Sequence, residues 1–289
     1  MFESLTYYFI ARKFRGYKPR PVTKKTIDAW LSQFGKKNRK FLLKLLKYVI
    51  FVDEAETRNR LVEQNGLLLD RLAKAGVSPE KIIYISIDEA ASSSHVMLNM
   101  LKESALLERQ KCRFVDSKDL LGLNKCTNEI GEGAVVYVDD FVGSGKQFCR
   151  SRDFAAEHVV GTFSEFLLVP CVCEEAIYEL GKRGVECYHG HLHTKAERPL
   201  HPNSNIIPPG VKARLIELSE EIDKKNALGF GSLATSVVFY RNAPNTVPLV
   251  LRGNIGQQKF VGILPRTTDL LPPILTQPST RNPGASESV

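Results

Sequence analysis

The spacing of apolar side chains predicts that the chain opens with helices. Within residues 23–51, apolar positions recur three and four residues apart, beginning with Trp30 and Phe34, as on one face of a helix. A second helix is predicted over residues 54–75, because Gly76 is a typical helix stop. The first quarter of the protein is therefore expected to be helical.

From residue 81 onward, short β-branched runs alternate with helical stretches. The pattern predicts strands at residues 81–87, 112–115, 134–138, 163–173, 185–189 and 233–240, and helices at residues 95–109, 146–157, 174–182 and 211–225. This alternation is typical of an α/β fold, so the predicted fold class is a mainly parallel, doubly wound sheet with an N-terminal helical region. Ligands of such sheets bind beyond the carboxyl ends of the strands.

Two stretches break this alternation. Residues 116–133 are polar and read as a long loop, which in a compact domain is more often a functional lid than a filler. Beyond residue 268, proline, serine and threonine dominate, which is typical of a flexible tail. We therefore divide the chain into an N-terminal basic helical region (1–78), an α/β domain (79–268) and a C-terminal tail (269–289).

Composition narrows the class of protein. With 289 residues, of which 43% are hydrophobic and 25% charged, the chain resembles an ordinary globular protein. It has no run of about 18 to 20 apolar residues that would span a bilayer. Its six cysteines form no CxxC pair, so neither a zinc ribbon nor a dense disulfide framework is expected. We expect a cytoplasmic protein with reduced thiols.

The net charge of +8 is concentrated near the N-terminus. Residues 11–47 contain thirteen lysines or arginines and one acid, Asp28, a net charge of +12 that leaves −4 for all other residues. A lysine run on an amphipathic helix is commonly a solvated face. This imbalance exceeds what solvation requires and indicates a surface for nucleic acid or an acidic protein partner. The lysines predicted to form it are Lys36, Lys37, Lys40, Lys44 and Lys47.

The candidate chemistry is concentrated in residues 135–147, VVYVDDFVGSGKQ. A buried strand is predicted to end there in two adjacent carboxylates, Asp139 and Asp140, which suit the vicinal hydroxyls of a ribose. The glycine-rich turn that follows enters a helix, so its backbone N–H groups and the positive helix end suit one phosphate. The turn residues are Gly143, Ser144, Gly145 and Lys146. Together these features predict a ribose-5-phosphate site.

Two positions disfavour a P-loop for nucleoside triphosphates. The pattern GxxxxGK[ST] requires a glycine where Asp140 stands and a serine or threonine where Gln147 stands. The GSGK turn is therefore not interpreted as the end of an ATP- or GTP-hydrolysing motif.

The same thirteen residues resemble the 5-phosphoribosyl-1-pyrophosphate signature of type I phosphoribosyltransferases. Together with the downstream stretch 241–251, RNAPNTVPLVL, they more closely resemble the phosphoribosyltransferase-like proteins of bacterial conflict and anti-phage systems, including retron operons. The resemblance covers residues 81–252 and implies a phosphoribosyltransferase-like fold. It also implies a Mg²⁺ cofactor bound through the donor, phosphoribosyl pyrophosphate, and a retron reverse transcriptase with its RNA–DNA hybrid as a partner.

Carried over residue by residue, the resemblance makes Asp139 and Asp140 the catalytic pair that binds the ribose hydroxyls. It assigns the 5-phosphate to residues 143–147, which adds Gln147 to the turn. It places the lid at residues 116–133 and the pyrophosphate loop after the first strand of the sheet. The pyrophosphate-loop residues would then be Ser86, Asp88, Ser92, Ser93 and Ser94.

The sequence departs from the family pattern at both anion sites. Gln147 replaces a hydroxyl side chain that usually helps to hold the phosphate, and Lys146 adds a charge where glycine is common. Asp88 and Glu89 lie close to the expected pyrophosphate, where they would either hold Mg²⁺ or repel the donor. A run of serines before a helix is also an ordinary helix cap, so the role of residues 92–94 stays open.

Two functions therefore remain open. The first is a Mg²⁺-dependent phosphoribosyltransferase-like effector of a bacterial defence system, which transfers to or cleaves a nucleotide-related metabolite. The second is a fold that no longer transfers and serves as a ligand sensor or structural subunit, binding nucleic acid or proteins through its basic region. The sequence selects no acceptor.

Further candidate residues have a plain structural interpretation beside the functional one. Cys171 and Cys173 fit buried packing better than redox chemistry. Phe230 and Tyr240 would either stack on a base or pack in the core. Four histidines suit a metal because alternate residues of an extended chain share a face, but no cysteine or acid completes a convincing set. They are His189, His191, His193 and His201.

Overall fold

The computed structural model describes residues 2–87, 93–116, 119–254 and 260–270. Its α-helices are α1 (Phe2–Lys13), α2 (Lys24–Ser32), α3 (Arg39–Tyr48), α4 (Glu54–Lys74), α5 (Ser93–Ser104), α6 (Leu120–Ile130), α7 (Lys146–Ala156), α8 (Glu174–Gly181), α9 (Pro209–Glu220), α10 (Leu249–Arg252) and α11 (Thr267–Leu270). Its strands are β1 (Ile50–Val52), β2 (Ile82–Ser86), β3 (Arg113–Asp116), β4 (Glu132–Val138), β5 (Phe141–Val142), β6 (Thr162–Val169), β7 (Cys171–Cys173), β8 (Glu186–His189), β9 (Leu192–His193), β10 (Val237–Phe239), β11 (Gly253–Asn254) and β12 (Phe260–Val261).

A five-stranded parallel sheet forms the centre of the fold, in the order β3-β2-β4-β6-β8. In its register, Tyr84 of β2 lies opposite Val136 of β4, which in turn lies opposite Phe166 of β6. Alternate side chains of each strand point to opposite faces. Val136 belongs to a hydrophobic cluster with α4 and α5, whereas its neighbour Val135 belongs to one with α6, α7 and α8. Helices therefore cover both faces, which confirms the predicted doubly wound α/β class.

The strand order fixes where a ligand is expected. The chain runs from β2 outward to β3, returns to β4 on the other side of β2, and continues to β6 and β8. The direction of winding thus reverses between β2 and β4. In open α/β sheets the crevice beyond the carboxyl ends of the strands at such a switch point is the usual binding site.

A second, smaller parallel sheet continues the central one. After short breaks, β4, β6 and β8 are followed by β5, β7 and β9, which pair in the order β5-β7-β9. The strand predicted at residues 163–173 is therefore two strands separated by Pro170. A proline has no N–H to donate, so it fits this interruption of the ladder.

The N-terminal helices pack against the C-terminal part of the chain. Trp30 and Leu46 share one hydrophobic cluster with Leu215 of α9 and with Val250 of α10. The indole Nε1 of Trp30 donates to the carbonyl oxygen of Val250 at 2.9 Å, and β1 pairs in parallel with β10. Helix α4 contributes instead to the cluster on the sheet. The division at 1–78, 79–268 and 269–289 stays a prediction.

The prediction of one continuous helix over residues 23–51 is wrong, because the structure has two α-helices separated by a break. Helix α2 ends at Ser32, a short 3-10 helix (Lys36–Asn38) follows Gly35, and α3 ends before strand β1. The apolar spacing continues across the break because both helices bury their apolar faces in the same cluster. Glycine lowers helix propensity by about 1 kcal/mol, which favours the break at this position.

The predicted lid at residues 116–133 is also wrong, because most of it is helix α6. The Asp119 carboxylate accepts a hydrogen bond from the N–H of Gly122 at 2.9 Å and caps the helix. Leu123 and Thr127 are fully buried against the sheet. Helix α6 is therefore the crossover between the parallel strands β3 and β4, a connection that every parallel pair of consecutive strands requires. No helix within the described ranges is both long enough and apolar enough to cross a membrane.

Candidate functional site

The carboxylate pair follows the buried end of β4. Asp139 is 8% exposed, and its N–H donates to the carbonyl oxygen of Leu168 at 3.2 Å, which extends the pairing with β6. The N–H of Asp140, which is half-buried, donates to Oδ1 of Asp139 at 2.8 Å. These bonds hold both residues at the carboxyl edge of the sheet, next to the switch point.

The glycine-rich turn connects this edge to a helix N-terminus. Gly145 precedes α7 with a left-handed backbone (φ +77°), and its carbonyl oxygen accepts the first helical bond, from the N–H of Cys149 at 2.8 Å. The first N–H groups of a helix have no partner within it, and the helix dipole makes this end positive. The turn and the start of α7 therefore form a place where one phosphate group can bind.

Both features line a single cavity of about 520 Å³. We call the carboxylate pair and the glycine-rich turn the first wall, and residues 241–246 with residues 266–268 the second wall. Ile87 and Ser93 line the same cavity. The site therefore lies at the switch point of the sheet, where the fold class predicts it.

The second wall supplies two guanidinium groups and two amides. Arg241 and Arg266 both line the cavity. Their positive charges suit an anionic ligand. The side chains of Asn242 and Asn245 lie on the same wall, and Oδ1 of Asn242 accepts from the N–H of Thr267 at 3.2 Å.

A strained turn places an aromatic ring at the cavity. Gly229 and Gly231 have φ of +79° and +64°, and the non-glycine residues Ser232 and Ala234 follow with φ of +53° and +49°. Such backbone costs of order 1–3 kcal/mol per non-glycine residue and persists only where its surroundings impose it. Phe230, at the top of the turn, lines the cavity and is 55% exposed. A large exposed aromatic ring on a rigid turn is a platform on which a flat ligand can stack.

The strained turn packs directly against the phosphate-binding turn. A Cβ atom added to Gly143 would lie 3.1 Å from Cδ1 of Leu233 and 3.1 Å from Cγ2 of Thr246. Arg198, fully buried, donates from Nη1 to the carbonyl oxygen of Leu233 at 3.3 Å. Glycine at position 143 therefore allows the two walls of the cavity to meet, and Arg198 helps to fix the strained turn.

A family model described as PRTase-CE matches residues 27–266, which include the carboxylate pair, the glycine-rich turn and residues 241–246. The chain belongs to the PRTase-CE family. This is a phosphoribosyltransferase-type family, in agreement with the resemblance of residues 135–147. Among curated proteins, no significant match was found.

In this PRTase-CE protein, the predicted ribose and phosphate residues lie together with one exception. Asp139, Asp140 and the turn residues line the cavity, as does Gln147. The side chain of Lys146 is exposed and lines instead a shallow depression with Arg150, Glu179 and Arg183. The turn residues that line the cavity are Gly143, Ser144 and Gly145. Lys146 thus contributes its backbone to the first turn of α7 but not its ammonium group to the cavity wall.

The predicted pyrophosphate residues are only partly described. Ser93 lines the cavity, whereas Ser94 is fully buried. Ser86 is also buried, and its hydroxyl donates to Oδ2 of Asp116 at 3.4 Å. Asp88 and Ser92 lie outside the described residues.

Two of the four candidate histidines lie close to an acidic residue, Glu197, which the sequence analysis did not assign to them. Oε2 of Glu197 lies 3.4 Å from Nε2 of His191 and 3.5 Å from Nδ1 of His193. The N–H of Ser236, however, donates to Nε2 of His193 at 3.1 Å, so the proton of the neutral ring is on Nδ1. A metal at Nδ1 would need the lone pair that this proton occupies. The cluster therefore does not fit a metal ion, and burial lowers the pKa of His193 to about 4, which keeps the ring neutral.

The remaining candidates have structural roles. Cys171 and Cys173 are fully buried, and burial raises the pKa of Cys173 to about 12, so its thiol stays protonated. Tyr240 is buried in the cluster on the sheet, whereas Phe230 faces the cavity.

The lysines of the basic segment lie on α3 and on the turn before it, and none lines the cavity as far as the structure describes it. They are Lys36, Lys37, Lys40, Lys44 and Lys47.

Sequence reasoning assigned no role to the second wall. Arg241, Asn242 and Asn245 belong to the stretch RNAPNT, which contributed to the family resemblance without a predicted function. Arg266 is about 125 residues from the carboxylate pair along the chain, and no local pattern marks it. Only the folding of the chain brings these residues to the site.

Proposed function

We propose that this protein is a phosphoribosyltransferase-like enzyme that binds a ribose-5-phosphate donor such as phosphoribosyl pyrophosphate. The observation that carries the proposal is the shared cavity, which is lined by the carboxylate pair, the phosphate-binding turn and Arg241. Family membership supports the phosphoribosyltransferase class. The substrate, the Mg²⁺ requirement and the defence role are parts of this proposal.

The donor would bind along the first wall. The carboxylates of Asp139 and Asp140 would accept hydrogen bonds from the 2- and 3-hydroxyls of the ribose, as acidic residues do at the ends of strands in nucleotide-binding folds. The 5-phosphate would accept from the N–H groups of the turn and of the first turn of α7. Gln147, which lines the cavity, can donate to the same phosphate through its amide.

Mg²⁺ fits the chemistry of this wall. Mg²⁺ prefers oxygen ligands, retains several waters and is commonly held by one or two carboxylates together with substrate phosphates. Asp139 and Asp140 provide such carboxylates at the cavity. When bound with the donor, Mg²⁺ would neutralise charge on the pyrophosphate leaving group.

The second wall would hold the leaving group and the acceptor. The guanidinium group of Arg241, which lines the cavity, would place positive charge beside an anionic oxygen, which favours the departure of pyrophosphate from the ribosyl carbon. The ring of Phe230 would stack on the acceptor, a nucleotide-related metabolite, and exclude water from one side.

Calorimetric titration of the purified protein with phosphoribosyl pyrophosphate and Mg²⁺ tests the donor site. We expect saturable binding by the unchanged protein and its loss in Asp139→Asn/Asp140→Asn, because an amide accepts fewer hydrogen bonds and has no charge for the metal. The matched control is Asp70→Asn, the same change at an exposed position of α4, which should bind normally. Equal binding by all three proteins would contradict a role for the carboxylate pair.

The defence role rests on the family resemblance of the sequence. We propose that the enzyme is an effector of a retron-type anti-phage system, held inactive by a reverse transcriptase with its RNA–DNA hybrid and toxic when released. Expression without that partner is expected to slow the growth of bacterial cells, and Asp139→Asn/Asp140→Asn is expected to relieve this effect. Toxicity that persists in the double variant would reject a catalytic origin.

One observation favours a second function, in which the fold is a ligand sensor or structural subunit without transfer activity. The side chain of Lys146 lines another depression and not the cavity. The phosphate-binding turn therefore lacks the lysine ammonium group that the sequence predicted there. The same titration tests what the enzyme requires. An unchanged protein that binds no donor would contradict the enzyme and favour the second function.

A further inference from the structure

The basic segment of the N-terminal region forms an exposed row on one helix. Lys40, Lys44 and Lys47 are spaced four and three residues apart on α3 and therefore share one face. Lys36 and Lys37 precede them in the 3-10 turn, and all five side chains are exposed. At about 1.5 Å per residue, the row is roughly 16 Å long. We call these five residues the lysine row.

No acid neutralises the lysine row within the part of the chain that the structure describes. The ion pairs found there include one basic residue of the segment 11–47, Lys18, which pairs with Glu54 at 2.9 Å. Asp28, the one acid of that segment, accepts a hydrogen bond from the hydroxyl of Tyr7 at 2.9 Å. A solvated helix face typically pairs its lysines with acids one turn away, and this one does not. The lysine row therefore presents a continuous positive potential.

The opposite face of α3 is not available for insertion into a lipid surface. Helices that bind membranes insert an apolar face into the bilayer. The apolar face of α3 is already buried in the hydrophobic cluster that includes Trp30 and Val250. The buried residues of this face are Leu42, Leu43, Leu45 and Leu46. Without a second apolar face, α3 has nothing to insert.

The residue type of the row favours phosphate over a protein partner. Protein interfaces are depleted in lysine and use large aromatic or apolar side chains as anchors. Among the described residues, α3 and the 3-10 turn before it expose no such side chain, and the exposed Leu5, Tyr8 and Phe9 lie on α1. Lysine is instead a compact point charge that pairs well with phosphate and lacks the planar fork with which arginine recognises base edges.

We propose that the lysine row binds the phosphodiester backbone of nucleic acid without sequence specificity. Each lysine would neutralise one phosphate and release its condensed counterions, so affinity would decrease steeply with salt. Binding would involve none of the cavity residues, and the proposal is independent of the donor site.

Fluorescence anisotropy with two labelled probes tests the proposal, namely a 20-nucleotide oligothymidine and a 20-base-pair DNA duplex. Five phosphate contacts predict a slope of log affinity against log salt of about −3.5 on the single strand and about −4.5 on the duplex. We expect Lys36→Gln/Lys40→Gln/Lys44→Gln/Lys47→Gln to weaken binding at least tenfold at low salt and to reduce the slope by about 2.8 and about 3.6, respectively. The form of nucleic acid whose slope reaches its own predicted value engages the full row.

The matched control changes the net charge equally at four exposed lysines outside the row, Lys74→Gln/Lys111→Gln/Lys125→Gln/Lys224→Gln. It should keep the slope of the unchanged protein. Equal losses in the two quadruple variants, or a slope shallower than −1 for the unchanged protein, would overturn the proposal. Tighter binding to polyglutamate than to either nucleic acid would overturn it in favour of an acidic protein. The slope of the unchanged protein requires no substitution, so the test does not depend on the folding of a variant.

Discussion

At the scale of single residues, the site depends on backbone that most side chains do not tolerate. Gly145 has φ +77° where α7 begins, and the turn that presents Phe230 contains Ser232 and Ala234 in left-handed backbone. Residues other than glycine adopt left-handed backbone only at a cost in free energy. Residues in this conformation cluster at ligand sites, where the surrounding structure imposes it. Both turns face the same cavity. Two of the four non-glycine residues with positive φ in the described ranges belong to the turn that carries Phe230.

Gly145→Ala tests the phosphate turn. The left-handed backbone costs an alanine about 1–2 kcal/mol, and the new Cβ would lie 3.2 Å from Cβ of Glu179 and 3.3 Å from Cα of Ala176. We expect a loss of about that size in the free energy of unfolding, measured in urea, together with weaker donor binding. As a control, Gly66→Ala in the interior of α4, where a Cβ meets nothing within 4 Å, should stabilise the protein by up to about 1 kcal/mol.

The pH dependence of stability tests the environment of His193. Burial lowers its pKa from 6.5 to about 4, with Arg198 acting in the same direction. The unfolded chain therefore binds a proton at higher pH than the folded one, so stability decreases as the pH falls below 6.5 towards 4. Between pH 7 and pH 5 the loss from this residue is roughly 2 kcal/mol.

Urea unfolding at several pH values measures that loss. His193→Gln should flatten the curve between pH 7 and pH 5, whereas His158→Gln, near the exposed ring of Phe154, should leave it unchanged. The lowered pKa values of His189 and His201 leave a residual slope in both variants. If His193→Gln keeps the full slope of the unchanged protein, the ring is not buried in its neutral form.

At the scale of elements, helix α6 is the clearest difference between expectation and structure. The stretch 116–133 is rich in polar residues and glycine and therefore resembled a loop, although five of the eleven residues of the helix are apolar. Its buried face is narrow, with Leu123 and Thr127 as its fully buried residues, and the Asp119 cap fixes its start. A crossover helix needs only this narrow face, because one side of the sheet covers it. Closure over the cavity by residues 116–133 is therefore not part of the proposed mechanism.

Paired substitutions in α6 distinguish a packed helix from a mobile lid. Leu123→Ala should lower the free energy of unfolding by about 2–3 kcal/mol, because Leu123 is fully buried and its removal leaves a cavity. Leu121→Ala, two residues away and 86% exposed, should change stability by less than about 0.5 kcal/mol. Equal, small effects in urea unfolding would indicate that the segment is not packed against the sheet.

At the scale of the whole molecule, both ends of the chain build one hydrophobic cluster. Trp30 near the N-terminus and Val250 and Leu264 near the C-terminal end of the described residues belong to it. The hydroxyl of Tyr17 donates to the carbonyl oxygen of Pro265 at 2.5 Å, next to Arg266 of the cavity wall. The helices that carry the lysine row thus pack against the segments that build the second wall of the site.

This arrangement predicts a single cooperative unfolding transition. Trp30 is the one tryptophan of the chain, so its fluorescence reports the helical cluster, whereas far-ultraviolet circular dichroism reports all helices and strands. We expect the two urea transitions to coincide, as in two-state unfolding. Separate midpoints would mean that residues 1–78 form an independent folding unit, as the division made from the sequence supposes.

Features that depend on residues close together in the chain were predictable from the amino-acid sequence. Hydrophobic periodicity determined the fold class, and the motif at residues 135–147 predicted the carboxylate pair and the phosphate turn, because a strand, its end and the next helix are continuous in the chain. Local patterns also showed the imbalance of charge in residues 11–47. Short-range physics decides all of these features, so they can be read along the chain.

Other features of the site depend on long-range packing and became visible in the folded structure. It replaced the lid by a crossover helix and directed Lys146 away from the cavity. It also supplied the second wall, with Arg241 and the strained turn at Phe230, from segments about 90 to 125 residues away from the carboxylate pair. These outcomes follow from the order of the strands and from the burial of remote apolar faces against one another, which no local pattern of residues encodes.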